Sequence, residues 1–271
     1  MRVKLKQGAE NSLLRVIKFS TLGGRGVRHL ITLNDVKCVK EGLNNGSPEL
    51  LGLLREHFGH DTIFRMRPEH NDRVLVVPPN IGGKSQSFNC DGLMYSVHLA
   101  PKNDRMWKPA ILTSNTGDCP HILIHGDFLT EKHDPIRVIG LVHSGWSGCA
   151  KNIVGNAMKQ VTENLGCPLK NLRVGLLGGI CVRCYEVGED VWKKMIPYHR
   201  HFHKGRDKKH WQLDLRGVIT QQLIQAGIRQ KQIETSMLCS HCQRERNGKH
   251  VFFSSRRGET GRNGLFISAT R

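Results

Sequence analysis

Residues 137–166, RVIGLVHSGWSGCAKNIVGNAMKQVTENLG, read as a strand, a glycine-flanked turn and a helix in succession. Residues 137–143 form an apolar, β-branched run suited to a buried strand, and Gly145 and Gly148 bracket Trp146 at the turn. Beyond the turn, Ala150, Ile153, Val154, Ala157, Met158, Val161 and Leu165 recur at helical spacing. Gly166 suits the C′ position that ends such a helix. A side chain at the carboxyl end of a strand, beside a turn that glycine permits, points into a crevice where ligands commonly bind. His143 holds that place, with a hydrogen-bonded core histidine as the alternative.

Working outward, residues 19–21, 73–77, 121–125, 172–177, 250–255 and 265–269 also carry the β-branched and aromatic content of strands. A second helix is expected over residues 47–59, with Ser47 as N-cap and Pro48 at N1. Two more cover 189–195 and, capped by Asp214, 215–226. Residues 199–210, HRHFHKGRDKKH, read as an exposed basic loop. Strands and helices mix without a strict βαβ rhythm, and no repeat or linker divides the chain. The expected fold class is therefore α+β, a single domain over residues 1–271.

Composition narrows the function. No stretch approaches the roughly 20 apolar residues of a membrane helix, and the basic N-terminus lacks the apolar core of a secretory signal. A cytosolic protein is expected, in which the nine cysteines are thiols or metal ligands. Lysine and arginine number 41 against 23 acids, a net charge of +18 that favours anionic partners. No nucleic-acid motif accompanies the charge, so a basic nucleic-acid-binding module is the weaker alternative.

Two further segments resemble the His143 stretch in placing a ligand-type side chain beside an apolar run. TGDCPHILI, residues 116–124, sets Cys119 just before a strand, and PEHNDRVLVV, residues 68–77, sets His70 at a strand edge. Two imidazoles and a thiolate suit zinc, and three protein ligands leave a fourth position open, as catalytic zinc sites do. The three lie far apart in the chain, so spacing alone leaves their convergence open.

Taken in order, these segments resemble the YfiH-type family, also called polyphenol oxidase or laccase-domain proteins. Its pattern runs QVHG, ADC-x-P, HAGWRG, then GP-x-IG-x-CCYEVG. Here PEHNDRVLVV, GDCPHILI, HSGWSGCAKNIV and GGICVRCYEVGEDV follow that order, with FSTLGGRGVRHLITLN before them and WQLDL, LCSHC and FFSSRRGETGR after. The resemblance implies a YfiH-like domain of mixed β-sheets packed between helical layers. It implies Zn²⁺ on His70, Cys119 and His143, and phosphorolysis of adenosine, inosine and methylthioadenosine, with adenosine deaminase activity. It places Asn34 and Arg256 in the substrate pocket, Arg256 as a phosphate ligand because guanidinium pairs bidentately with phosphate oxygens.

Three departures bear on substrate. Ser147 replaces the arginine of GWRG, Leu22 replaces that of FSTR with Arg25 three residues on as a substitute, and QVHG is reduced to PEHN. Rival readings also follow from the residues. Cys119 and His143 suit a thiolate–imidazole dyad of a cysteine hydrolase or amidase. The pairs Cys181/Cys184 and Cys239/Cys242 have the paired CxxC form of a structural zinc site. Copper-oxidase chemistry needs several separated HxH pairs, and HxH occurs only within residues 199–203.

Overall fold

Apolar side chains on both faces of one strand call for cover on both sides, and the 137–143 segment has them. In the computed structural model, which describes residues 19, 22, 27–31, 48–60, 62–78, 81, 85–99 and 109–269, this segment lies in strand β8, Pro135–His143. It pairs antiparallel with β7, His121–Leu129, and with β5, Gly92–His98. β9, Leu172–Leu177, continues the sheet beside β7, and β13, Ile233–Thr235, and β3, Val74–Val76, add parallel edges. The result is a mixed six-stranded sheet.

Alternation along these strands builds two cores. Ile122, Ile124, Val138 and Val142 face one side with Val154, Ala157, Val218 and Leu223. Leu123, Ile139 and Leu141 face the other, against Phe64, Leu112, Leu265 and Ile267. Those last residues belong to a five-stranded sheet of β1 (Val27–Ile31), β14 (Asn263–Ala269), β6 (Ile111–Thr116), β2 (Ile63–Arg67) and β4 (Gln86–Asn89), in that order. Burying each Leu or Ile stabilises by roughly 1.5–3 kcal/mol.

Helix α1, Pro48–Phe58, ends under the outer face of the five-stranded sheet, where Phe58 meets the fully buried Phe266 at 6.5 Å between ring centroids. Gly59 follows at φ 83°. Helices therefore flank two face-to-face sheets, the α+β arrangement with mixed sheets that the sequence implied.

The helix expected after Trp146 is broken in two. α2, Trp146–Ala150, and α3, Ile153–Lys159, are separated by Asn152 at φ 60°, whose side chain accepts from the Gly155 N–H at 3.3 Å. Asparagine tolerates the left-handed region and caps well, so it restarts the helix without interrupting the apolar stripe. A π-helical turn, Gln160–Asn164, leads to Gly166 at φ 68°. α4, Glu189–Lys194, and α5, Leu215–Gln225, match expectation, and Asp214 caps α5 by accepting from Gly217 N–H.

Two further segments differ from their sequence reading. Residues 250–255 are no strand: Val251 and Phe252 enter the inter-sheet core, while side chains claim the backbone. Asn263 Oδ1 accepts from Phe253 N–H, Glu259 Oε2 from Ser254 N–H, and Arg257 donates to the Phe252 carbonyl. Residues 199–210 are not one open loop. A 3₁₀ turn, Ile196–His201, runs into β11, Phe202–Lys204, which pairs with β12, His210–Leu213, and β12 in turn with β10, Glu186–Gly188. Trp192 anchors the segment, stacked on His199 at 4.0 Å and Trp211 at 5.2 Å. Ser47, Asn34, Arg25 and most of residues 19–21 lie outside the described residues. No helix of the described residues is long and apolar enough to cross a membrane.

Candidate metal centre

Sheet register brings the ligand-type residues together. β7 pairs His121 with His143, so Cys119, two residues before His121, falls beside the end of β8. β5 pairs Gly92 with Val142, so Asp91 falls there too, and its carbonyl accepts from the His143 N–H at 2.8 Å. Ser144 N–H reaches the Pro120 carbonyl at 2.9 Å and closes the Cys119 turn onto the same strand end. A Cβ at Gly145 would stand 3.2 Å from Cys119 Sγ, so the residue after Ser144 must be small for the thiol to approach.

His70 arrives from the β2–β3 loop rather than from a strand edge. It has φ 58°, a left-handed conformation that a histidine adopts only when its surroundings hold it. The holder is Asp91, fully buried. Its Oδ1 accepts from His70 N–H at 3.1 Å, and its Oδ2 from Glu69 N–H at 3.1 Å and Asn71 N–H at 3.0 Å. The same Oδ1 lies 2.7 Å from His143 Nδ1. A carboxylate only accepts, so Nδ1 carries the proton and Nε2 is left to bind a metal or the thiol. One acid thus sets the backbone of one histidine and the tautomer of the other.

In this arrangement His70, Cys119 and His143 each offer a ligand atom, all within 4.8 Å of one another. His143 is buried and Cys119 half-buried, whereas His70 is exposed and opens the cluster to solvent. Burial alone would raise the Cys119 thiol, but the His143 charge and hydrogen bonds from His143 and His70 outweigh it and hold the thiol below its ordinary value. Burial would likewise lower His143, yet the Cys119 charge and the Asp91 hydrogen bond raise it. His121, enclosed next door, is pushed well down by burial and by the charge of His143, and stays neutral with Nε2 3.2 Å from Ser114 Oγ. Two imidazoles, a thiolate and a carboxylate orienting one imidazole form a donor set that fits zinc.

Asp118, next to Cys119, gathers the other side of the site. Its Oδ1 accepts from Ser240 Oγ at 2.6 Å and Ser254 Oγ at 2.7 Å, and its Oδ2 from Arg256 N–H at 2.7 Å. This fixes the Arg256 backbone, while the exposed guanidinium lies over the Tyr185 ring at 5.2 Å and donates to the Glu186 carbonyl at 2.8 Å. Burial raises the Tyr185 hydroxyl, and the charge of Cys119 adds to it.

Sequence reasoning missed Asp91, Asp118 and Tyr185. GDC-x-x and NCDG carry a signal of a kind, an acid beside a cysteine at the edge of an apolar strand, but neither pattern says which way the carboxylate turns. Leu22, where the family has arginine, is fully buried and packs over Gly175, so it takes no part in anion binding. Two of the three histidines in residues 199–203 are engaged elsewhere, His199 Nε2 at the Trp192 carbonyl and His201 Nε2 at Gln221 Oε1.

Two sheets flanked by helices, with a ligand cluster at the strand ends, define a known class of protein. YlmD from Geobacillus stearothermophilus superposes with a TM-score of 0.72 at 18% identity, over 98% of this chain and 99% of that one. YfiH from Bacillus licheniformis gives 0.68 at 21% identity, over 95% and 96%. The family model for multi-copper polyphenol oxidoreductase laccase matches residues 52–270, and the chain belongs to that family. Purine nucleoside phosphorylase YlmD of Bacillus subtilis is 30% identical over 141 residues, 50% of this chain and 49% of the relative. Purine nucleoside phosphorylase RC0672 of Rickettsia conorii is 28% identical over 150 residues, 54% and 58%. The chain thus spans about half the length of these curated relatives. Adenosine deaminase RL5, from an unknown prokaryotic organism, is 27% identical over 207 residues, 73% and 70%.

Proposed function

We propose that this chain is a zinc-dependent purine nucleoside phosphorylase, with adenosine deamination at the same centre, and that His70, Cys119 and His143 hold the zinc. The observation that carries the proposal is Asp91, which orders both histidines around the half-buried thiol. The names of the curated relatives support the substrate class, purine nucleosides and phosphate.

Zinc in such a three-ligand site acts as a Lewis acid and acidifies water. The chain's own groups do the rest. His70 marks the open side, by which a nucleoside enters. Arg256 offers a planar cation to phosphate from over Tyr185, and its main chain is pinned by Asp118 so that the guanidinium is aimed beforehand. Asn34 and Arg25 are assigned to substrate positioning on the family resemblance. In phosphorolysis a phosphate oxygen bonds to ribose C1′ as the C1′–N9 bond breaks; the electron pair leaves with the purine, which takes up a proton. Deamination adds water at C6 and releases ammonia. The zinc, the nucleoside role and a cytoplasmic location for one domain over the whole chain stand together in this reading.

A second reading draws on one geometric fact. Asp91, His143 and Cys119 are lined up as carboxylate, imidazole and thiol, the order of a cysteine hydrolase triad. Metal analysis with an adenosine-plus-phosphate assay separates the two. Zinc at the centre, with adenine and ribose 1-phosphate formed and Cys119 shielded from alkylation, supports the phosphorylase. A metal-free active protein in which iodoacetamide at Cys119 stops turnover supports the triad.

The departure at Ser147 makes a further prediction. A hydrogen bond to a charged group is worth about 1.5–3 kcal/mol, so Ser147→Arg is expected to lower KM for phosphate by about 10- to 100-fold. Adenosine KM should change little. Steady-state kinetics at varied phosphate checks this, and an unchanged phosphate KM would remove residue 147 from the anion site.

A further inference from the structure

The two CxxC pairs are joined in space although 54 residues separate Cys184 from Cys239. The sulfurs of Cys181, Cys184, Cys239 and Cys242 all lie within 4.8 Å of one another, and those of Cys181 and Cys242 stand 4.0 Å apart. A tetrahedron with Zn–S bonds of about 2.3 Å has S···S edges of about 3.8 Å. We infer that these four thiolates form a second metal site, a structural tetrathiolate centre for a thiophilic divalent cation, zinc in the reducing cytosol. Binding is a simple exchange: each thiol that enters as a ligand gives its proton to solvent and no electron moves.

The backbone around the sulfurs is arranged for this. A 3₁₀ turn, Val182–Cys184, with Cys184 N–H on the Cys181 carbonyl at 3.0 Å, brings both thiols of one arm to the same side. On the other arm Gln243 N–H returns to the Cys239 carbonyl at 3.1 Å. Between arms, Cys181 N–H donates to Cys239 Sγ at 3.2 Å, and Ser240 N–H to the Gly179 carbonyl at 3.0 Å. Main-chain N–H groups on sulfur are the outer contacts that hold a metal-bound thiolate in place.

An independent feature is Arg216, a buried cation on α5. Its Nε donates to the Gly178 carbonyl at 2.7 Å, and one terminal nitrogen to those of Gly179 at 3.2 Å and Leu238 at 2.7 Å. These carbonyls lead into Cys181 on one arm and Cys239 on the other, so one guanidinium braces both. The groups that face it are the Asp214 carboxylate and the sulfurs of Cys181, Cys239 and Cys242. Four thiolates on Zn²⁺ carry a net charge of −2, which a buried guanidinium offsets. A metal here would also tie the glycine turn, packed on the Asp118 carbonyl, to the arm whose Ser240 reaches the Asp118 carboxylate.

The test is metal content of untagged protein purified with reductant and without chelator. Wild type is expected to hold two zinc ions per chain, and Cys119→Ser and Cys242→Ser one each. Cys242 is exposed, so its replacement perturbs no core. In Cys119→Ser protein reloaded with Co²⁺, intense thiolate-to-cobalt charge-transfer bands are expected, and they should vanish when Cys242→Ser is added. One zinc in wild type that survives Cys119→Ser and is lost in Cys242→Ser would uphold this site while sinking the other. One zinc lost in Cys119→Ser, with no charge-transfer bands on cobalt loading, would overturn it. A Cys181–Cys242 disulfide in protein isolated under reductant would overturn it too.

Discussion

His143→Ala is expected to empty the His70/Cys119 centre of zinc, cut phosphorolysis by at least about 1000-fold and destabilise the protein by roughly 3–5 kcal/mol. The first two effects follow from losing a ligand whose Nε2 is aimed by its neighbour. The third follows from that neighbour. Asp91 is fully buried, and removing the imidazole leaves a carboxylate inside with one acceptor site unfilled and no counter-charge. His143→Asn separates the two roles: its amide N–H can still donate to Asp91 Oδ1, but it has no imidazole for a metal. Urea melts should then show most of the stability restored, with zinc and turnover still absent. An alanine variant that keeps its zinc and its activity would sink the metal assignment.

What was legible in the sequence divides along physical lines. His143, Cys119 and His70 could be picked out because each sits beside an apolar run next to a residue that ends or turns it, and such places open onto crevices. Asp91 and Asp118 could not, because each works through several hydrogen bonds from segments distant in the chain. In NCDG the first residue, Asn89, stays exposed, while Asp91 two residues on is fully buried at the centre of the site. The helix break at Asn152 was hidden because the apolar stripe continues through it. Residues 250–255 have strand composition, yet only 250–251 pair with neighbouring backbone, at residues 243–244, and Asn263, Glu259 and Arg257 satisfy the backbone of 252–254. The edge strand Gln86–Asn89 is hidden for the opposite reason, since its mostly exposed side chains leave no apolar pattern to read.

Asp91→Asn should weaken zinc binding by about 10- to 100-fold or more, because an amide fails here in either orientation. With its oxygen in the place of Oδ1, it still accepts from His143 and His70, but its NH₂ then faces the Glu69 and Asn71 N–H groups, donor against donor. The His70 turn, held at φ 58° by those bonds, would lose its support. Flipped, the NH₂ meets His143 Nδ1, which must give up its proton to accept. The proton moves to Nε2, the nitrogen the metal needs. Chelator competition measures the affinity, and NMR of the His143 ring protons distinguishes the two orientations. The chelator-treated proteins add a pH test. Burial would raise the Asp91 carboxyl, but the hydrogen bond from His143 and those from Asn71 and Glu69 bring it below its ordinary value. Its stabilisation is therefore complete above about pH 3.9 and fades as pH falls through the lower folded-state value. The stability gap between wild type and Asp91→Asn should accordingly close in strong acid, and it should also narrow as pH rises through the raised His143 value, where the imidazolium facing Asp91 loses its charge. Zinc affinity equal to wild type in Asp91→Asn would show that the two histidines find their places unaided, and the role given to Asp91 would fall.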